Sequence, residues 1–407
     1  MKVRIEPGTA HGTVRVPPSK SLLHRMLICA ALAGGESVLC NFSGGEDLAA
    51  TADCLRAMGA KLWQEEDGFH VCGFAGATAE KRGTLPALPC RESGSTLRFL
   101  FPVSLLSGGG IFTGSPRLLE RGVGIYESLL ASCGITFSRD AHAVTVQGKL
   151  TPGNYPIPGN LSSQFISGML LALPALPGDS TVTVSEPFES RAYTALTTDV
   201  LKTFGVTVEH PDELRFRIPG WQHFRPADVC AEGDWSQAAF FLALNTFGGN
   251  VAVTGLCESS LQGDRVCRTL LEKIAHGATE ADLSDCPDLA PMLFAAAAAH
   301  AGARFTGTRR LAVKESDRAK VMAEELEKFG ISVSVAENSV EILPGRLHRP
   351  KTDLNGHGDH RIVMALSVLA TITGGTVAGA EAVRKSYPDF FRDLSALGIR
   401  IRTSPEG

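Results

Sequence analysis

Apolar and polar positions recur along this chain in a fixed order: a short polar lead, a helix-length apolar run, a glycine, then strand-like alternation. Six apolar runs open near Ser19, Ser93, Ser162, Asp234, Asp288 and Asp359, among them SGSTLRFLFPVSLL, SSQFISGMLLAL, DWSQAAFFLAL and DHRIVMALSVLA. Each is apolar on nearly every side, which predicts a helix buried within a domain. A second, more amphipathic helix follows in every unit and ends on a glycine stop: LRAMGAKL, LLASCGITF, LKTFGVTV, LEKIAHGAT, LEKFGISV and LSALGIRI. The stops fall about 70 residues apart, except for one step of about 53 from Gly277 to Gly330. The pattern predicts an α/β chain in which a β–α–β–α–β–β unit occurs six times.

At 407 residues the chain exceeds one ordinary core, so two or three domains are expected. The boundary signals are Pro17-Pro18 and the Pro/Trp-rich stretch IPGWQHFRPAD at 218–228. They predict a domain spanning 19–230 inserted into one built from 1–18 plus 231–407. A hydrophobic content of 44% and a charged content of 20% describe a globular chain, and the start MKVRIEPG has no apolar leader. The longest apolar runs, such as 289–301, are too short to span a membrane. Ten cysteines without a C-x-x-C pair argue against zinc and redox motifs and fit reduced thiols in a cytoplasmic protein. The net charge of −4 gives no support for nucleic-acid binding, so an anionic ligand would need locally gathered cations.

Such gathering begins at PPSKSLLHRML, residues 17–27. Ser19 stands where an N-cap is expected, and Lys20, Ser21 and Arg25 crowd the first turns of an apolar helix. A helix N-terminus carries roughly +0.5 charge, so cations there run against the local rule and point to an anion site. Ser21 and Arg25 share a face at i,i+4. CRESGSTLRF at 90–99 is a turn in which Gly94 lets backbone approach a ligand, with Arg98 one turn on. Arg117 and Arg121 lie four apart. Ser162, Ser163 and Gln164 offer side chains beside free N–H groups, and Ser190 with Arg191 repeats the arrangement. Asp288 is expected to open the helix DLAPMLFAAAAA. In VKESDRAK, Lys314, Glu315 and Arg318 surround an expected Ser316 cap; His360 and Arg361 open another helix, and Lys385 precedes SYPDFF at a further helix start. Many cations with two well-placed acids, Asp288 and Glu315, suit a polyanionic ligand set and general acid–base chemistry. No metal-ligand spacing, Ser-His-Asp order or GxxxxGK[ST] loop occurs.

PSKSLLHR, ESGSTLRF, SSQF, ESRAY, EGDWSQAAFFLA, QGD, KESDR, DHRIVMA and KSYPDFF follow one another along essentially the whole chain. In this combination the chain resembles the 5-enolpyruvylshikimate-3-phosphate synthases of the enolpyruvyl transferase family. The resemblance implies two similar domains of three βαβαββ units each, an inside-out α/β barrel architecture closing over a central cleft. It implies transfer of the carboxyvinyl group of phosphoenolpyruvate to the 5-hydroxyl of shikimate 3-phosphate by addition and elimination. Carried over by position, it implies that Lys20, Ser21, Arg25, Ser162, Ser163, Gln164, Ser190, Asp288 and Lys314 hold shikimate 3-phosphate. Phosphoenolpyruvate would meet Lys20, Gly94, Arg121, Gln164, Arg318, Arg361 and Lys385. Lys20, Asp288 and Glu315 are the candidates for proton transfer, without an assignment of donor and acceptor. No cofactor, metal, nucleic acid or membrane is implied; the expected partners are the two substrates, bound by a monomer. Gly94 matches the glycine of members inhibited by glyphosate. Glu92 stands where many members have Asn, with Arg91 as an expected partner, and Arg310 where some have a substrate-binding Asn.

The nearest alternative is a UDP-N-acetylglucosamine enolpyruvyl transferase. Lys20-Ser21 replaces its Lys-Asn pair, and TGSPRLLERGV lacks its loop cysteine. RNA 3′-terminal phosphate cyclases share the unit but call for a more basic chain, and a non-catalytic anion-binding protein would not need both acids.

Overall fold

The computed structural model describes residues 1–74 and 84–405, which divide into two units, Pro18–Ala231 and Met1–Pro17 with Glu232–Gly407. Among the described residues no helix is long and apolar enough to cross a membrane.

The unit Pro18–Ala231 holds three four-stranded sheets of one design. In the middle one, Ala87–Arg91 pairs in parallel with Gly109–Gly114, which pairs antiparallel with Ala143–Gln147, and Thr136–Arg139 closes the edge. Asn154–Pro158, Ser180–Ser185, Arg215–Ile218 and Glu209–Asp212 repeat that order. In the remaining sheet the opening strand is Val229–Cys230, from the far end of the segment, parallel to Glu36–Cys40. The helices Lys20–Leu32, Gly94–Ser104 and Ser163–Ala172 are buried on almost all sides and fill the core of this unit.

The other unit has two sheets of the same design. In one, the strand Lys2–Ile5 from the chain start lies between Gly375–Ala378 and Ile401–Ser404, completing a unit whose helices are near the chain end. The third β element is only a parallel pair, His11–Arg15 with Asn250–Thr254. The expectation of six complete units is therefore corrected. After Gly277 the chain runs straight into Thr279–Asp282, the opening strand of the next sheet, and the shorter step leaves no residues for a hairpin. The helices Trp235–Thr246, Ala290–Ala299 and His360–Thr373 are the buried centre here.

All six glycine stops, Gly59, Gly134, Gly205, Gly277, Gly330 and Gly398, have positive φ. A β-carbon is disfavoured in that region, so glycine sets where each second helix ends. The expectation of wholly reduced cysteines is corrected as well: Cys40 and Cys230 form a disulfide, with Cα atoms 4.7 Å apart. The parallel register of the two strands places these residues opposite one another, although 190 positions separate them in sequence.

Candidate active site

In the unit Pro18–Ala231 the helix Lys20–Leu32 opens the site. Ser19 occupies the N-cap position, but its buried hydroxyl makes no hydrogen bond among the described residues, so the cap is positional only. Lys20 Nζ donates to Asp47 Oδ2 at 2.8 Å, and both side chains are more than four-fifths buried. Asp47 lies in the first turn of the helix Glu46–Met58, where the dipole favours a carboxylate. Arg25 is 2% exposed. Its guanidinium donates to Thr197 Oγ1 at 2.7 Å, the Ser21 carbonyl at 2.6 Å, Ser167 Oγ at 3.2 Å and the Tyr193 carbonyl at 2.9 Å. It also lies over the Phe99 ring, 4.9 Å from its centroid. Burial lowers its pKa to about 10, which still leaves it charged at neutral pH. Burial, then the charges of Lys20 and Arg25, push His24 well below its usual range, so its imidazole is neutral and Nδ1 bonds Thr51 Oγ1 at 2.8 Å.

Gly94 is the first residue of the helix Gly94–Ser104, whose cap Ser93 accepts from Thr96 N–H. Gln164 joins two helix starts: its amide donates to Ser95 Oγ at 2.9 Å and accepts from Arg98 Nη1 at 2.6 Å. Ser162 caps the helix Ser163–Ala172 by accepting from Gln164 N–H, and Ser163 is buried beside it. Ser190 is buried in a left-handed conformation at φ 58° ahead of the helix Arg191–Thr203. A serine is held there only by its surroundings. The side chain of Arg121 lies outside the described residues. Arg91 donates to Asp53 at 2.6 Å, and Glu92 is exposed, so water and salt screen its charge.

In the other unit the cations converge. Asp288 does not cap the helix Ala290–Ala299, as its position in the sequence predicts; it sits in the preceding short turn Pro287–Leu289 and its carboxylate faces three cations. Arg318 Nη1 reaches Oδ1 at 2.8 Å, Lys314 Nζ reaches Oδ1 at 3.2 Å and Arg361 Nη2 reaches Oδ2 at 2.9 Å. Arg361 also donates to the Asp288 carbonyl at 3.1 Å and to Ser236 Oγ at 2.9 Å. Arg318 further holds Glu315 at 2.6 Å and Asp359 at 2.9 Å. Ser316 is not the cap of the helix Arg318–Lys328 either. Asp317 accepts from Lys320 N–H, which frees the Ser316 hydroxyl to donate to Asp359 at 3.1 Å. Lys385 ends the short turn Ala380–Lys385 instead of opening a helix, and its amine donates to the Gly358 carbonyl at 2.6 Å.

The charges follow from this packing. Burial works against the charged form of Arg318, but Asp359, Glu315 and Asp288 raise its pKa above the ordinary arginine value. Asp359 is fully buried, which alone would raise its pKa; Arg318 overrides burial and lowers it. Lys314 goes the other way, lowered by burial and by Arg318 and Arg310 against the pull of Asp288 and Glu315. Arg310 is 7% exposed and donates to the Ser284 carbonyl.

Nothing in the sequence singles out Asp47 or Ser236, and Asp359 stands there as a helix start alone. Only the last carries a local signal, an Asp before His-Arg. The other two become visible through Lys20 and Arg361.

Among the described residues one group could hold a metal ion: Glu65, Asp67 and His70, in the hairpin Lys61–Cys72. His70 Nε2 is 2.8 Å from Asp67 and Nδ1 is 2.7 Å from Glu36. The hydrogen bond to Asp67, then that to Glu36, raises the His70 pKa to about 9. In this state the protonated imidazole donates to both carboxylates, an ion-pair cluster.

The family model for EPSP synthase (3-phosphoshikimate 1-carboxyvinyltransferase) matches residues 5–394. The 3-phosphoshikimate 1-carboxyvinyltransferase of Clostridium kluyveri is 36% identical over 421 residues, covering 98% of each chain. That of Clostridium perfringens strain 13 is also 36% identical, covering 98% of this chain and 99% of the relative. Among solved structures, an EPSP synthase from Acinetobacter baumannii superposes with a TM-score of 0.77 at 23% identity, covering 99% and 100% of the two chains. The enolpyruvyl transferase NikO from Streptomyces tendae gives 0.78 at 19% identity over 99% of each chain. Likeness this distant in sequence concerns fold alone.

Proposed function

The chain belongs to the EPSP synthase family, and from that premise we infer that it transfers the enolpyruvyl group of phosphoenolpyruvate to the 5-hydroxyl of shikimate 3-phosphate. The oxygen of that hydroxyl bonds to C2 of phosphoenolpyruvate while its proton leaves to a base. The methylene carbon takes a proton, giving a tetrahedral ketal phosphate. Loss of a proton from the new methyl group and departure of phosphate then restore the double bond on the acceptor.

Shikimate 3-phosphate is held by Lys20, Ser21, Arg25, Ser162, Ser163, Gln164, Ser190, Asp288 and Lys314, and phosphoenolpyruvate by Lys20, Gly94, Arg121, Gln164, Arg318, Arg361 and Lys385. The observation that carries this reading is the convergence of Arg318, Arg361 and Lys314 on the one carboxylate of Asp288, the two guanidiniums being almost inaccessible to water. Cations locked this way cost no reorganisation when an anion arrives. The Arg25 guanidinium is likewise held in place beforehand, by Thr197, Ser167 and the Ser21 and Tyr193 carbonyls. The lysine whose pKa is lowered, Lys314, is suited to a substrate hydroxyl, because it releases a proton more readily than an ordinary lysine. Asp288 and Glu315 are the proton-transfer groups, together with Lys20.

Release of inorganic phosphate from the full chain with both substrates tests the reading. Release with shikimate 3-phosphate and none with UDP-N-acetylglucosamine is expected; no release with the former ends it. Asp288→Asn and Glu315→Gln should each lower kcat about 100-fold or more, the size of one acid–base contribution. Glyphosate should compete with phosphoenolpyruvate, and full activity in its presence at limiting phosphoenolpyruvate would remove Gly94 from the reading.

A further inference from the structure

Behind the cations assigned to phosphoenolpyruvate lies a buried carboxylate that the chemistry above does not use. Glu325 stands seven residues after Arg318 in the helix Arg318–Lys328, two turns along the same buried face. Its side chain is 2% exposed, and both oxygens are engaged. Lys328 Nζ donates to each at 2.9 Å, Asn355 N–H donates to Oε2 at 2.9 Å, and His357 Nε2 meets Oε1 at 3.0 Å. Packing alone does not call for an ion here, since an apolar side chain of similar volume covers the same surface without desolvating a charge.

What Glu325 holds is the turn between the strand Leu354–Asn355 and the helix His360–Thr373. His357 has φ 49° and Gly358 φ 64°, two left-handed residues in succession. Glycine adopts that conformation freely; a residue with a β-carbon stays there only when its contacts over-determine it. Those contacts are at hand. The His357 N–H donates to Asn355 Oδ1 at 2.8 Å, and its ring is fixed by Glu325. The exit of the turn is fixed by the same helix, since Arg318 Nε donates to Asp359 Oδ2 at 2.9 Å.

The turn carries the parts of the site that follow it. The Gly358 carbonyl accepts from Lys385. Asp359 caps the helix His360–Thr373 through the N–H of Arg361, whose guanidinium reaches Asp288. We propose that Glu325 and His357 are positioning residues for phosphoenolpyruvate: their contact fixes the left-handed turn that aims Lys385 and Arg361. The inference rests on the assignment of Arg318, Arg361 and Lys385 to that substrate.

The test is steady-state kinetics of the full chain, each substrate varied with the other saturating, for Glu325→Gln, His357→Gly, His357→Asn and Arg361→Lys. Gly and Asn both accept the left-handed conformation, but neither reaches Glu325 as the imidazole does. Glu325→Gln and both His357 variants should raise KM for phosphoenolpyruvate about tenfold, with KM for shikimate 3-phosphate and kcat changed less than about threefold. His357 is partly exposed, so its variants carry the test if Glu325→Gln fails to fold. Wild-type KM for phosphoenolpyruvate in both His357 variants overturns the proposal, because backbone conformation alone would then suffice. An equal rise in both KM values, or a lower melting temperature with unchanged KM, overturns it as well, leaving a purely structural role. Arg361→Lys separates the two levels. If it raises KM for phosphoenolpyruvate while the other variants do not, only this inference fails; if it too leaves KM unmoved, the assignment of that site fails.

Discussion

Replacing Arg318 by methionine isolates what holds the cluster around Asp288 together. The guanidinium is 1% exposed and serves three carboxylates, Asp359, Asp288 and Glu315. Asp288 and Glu315 each keep 21% exposure and can recover water, whereas Asp359 keeps none. The cost is therefore set by Asp359. A buried carboxylate stripped of its counter-ion costs about 3–5 kcal/mol. Asp359 would retain the Ser316 hydroxyl at 3.1 Å and the Arg361 N–H at 2.9 Å, which favours the lower end. A loss of about 3 kcal/mol corresponds to a fall of about 6–12 °C in the transition of a unit this size. Differential scanning calorimetry of the full chain near pH 7.5 reads it. Adding Asp359→Asn to Arg318→Met removes the stranded charge and keeps a good N-cap, so the double variant should regain at least half of the loss. A double variant melting at or below the single one would refute the reasoning, since the unpaired charge would not then be the cost. The pH dependence has a definite sign. The folded-state pKa of Asp359 is lowered, so its stabilisation is present above the ordinary value of 3.8 and is lost as pH falls through the folded value.

Lys20→Ala should lower phosphate release by about 100-fold or more while moving the melting temperature by less than about 4 °C, because Asp47 keeps its place at a helix N-terminus. A large stability loss with KM and kcat little changed would assign the lysine to the fold instead. The raised pKa of His70 gives a stabilisation fully present below its ordinary value of 6.5 and lost as pH rises through about 9. The melting temperature of wild type should thus fall between pH 6.5 and 9.5 by more than that of His70→Gln, and parallel curves would contradict the ion-pair cluster. Thiol titration of the denatured, unreduced chain should count eight cysteines, rising to ten after reduction; ten at the outset would mean that Cys40 and Cys230 are not joined.

The sequence by itself determined the parts that depend on neighbours within a turn or two. Buried central helices follow from runs such as DHRIVMALSVLA, because an all-apolar surface has no stable place at the boundary with water. The glycine stops follow from the left-handed residue that ends a helix, and all six have positive φ. The motifs also located the side chains that now meet around Asp288, since cations at helix starts violate a local rule that can be read without a structure.

Tertiary structure decided what depends on distant partners. The strand Lys2–Ile5 finishes a sheet near the chain end, and Val229–Cys230 opens one near the start of its unit. The boundary signals already group residues 1–18 with the C-terminal half, but which strand lies beside which is a long-range contact with no trace in local alternation. The pairing of Cys40 with Cys230 and the role of Glu325 were hidden for the same reason, whereas the missing hairpin after Gly277 left its trace in the shorter glycine spacing. Asp288 is the clearest case. Its position before an apolar helix suggests a cap, yet three cations brought in by folding from 26, 30 and 73 residues away claim its carboxylate instead. A cap bond joins neutral N–H donors to a carboxylate, whereas these contacts join full charges, two of them on guanidiniums almost closed to water, and the stronger interaction prevails.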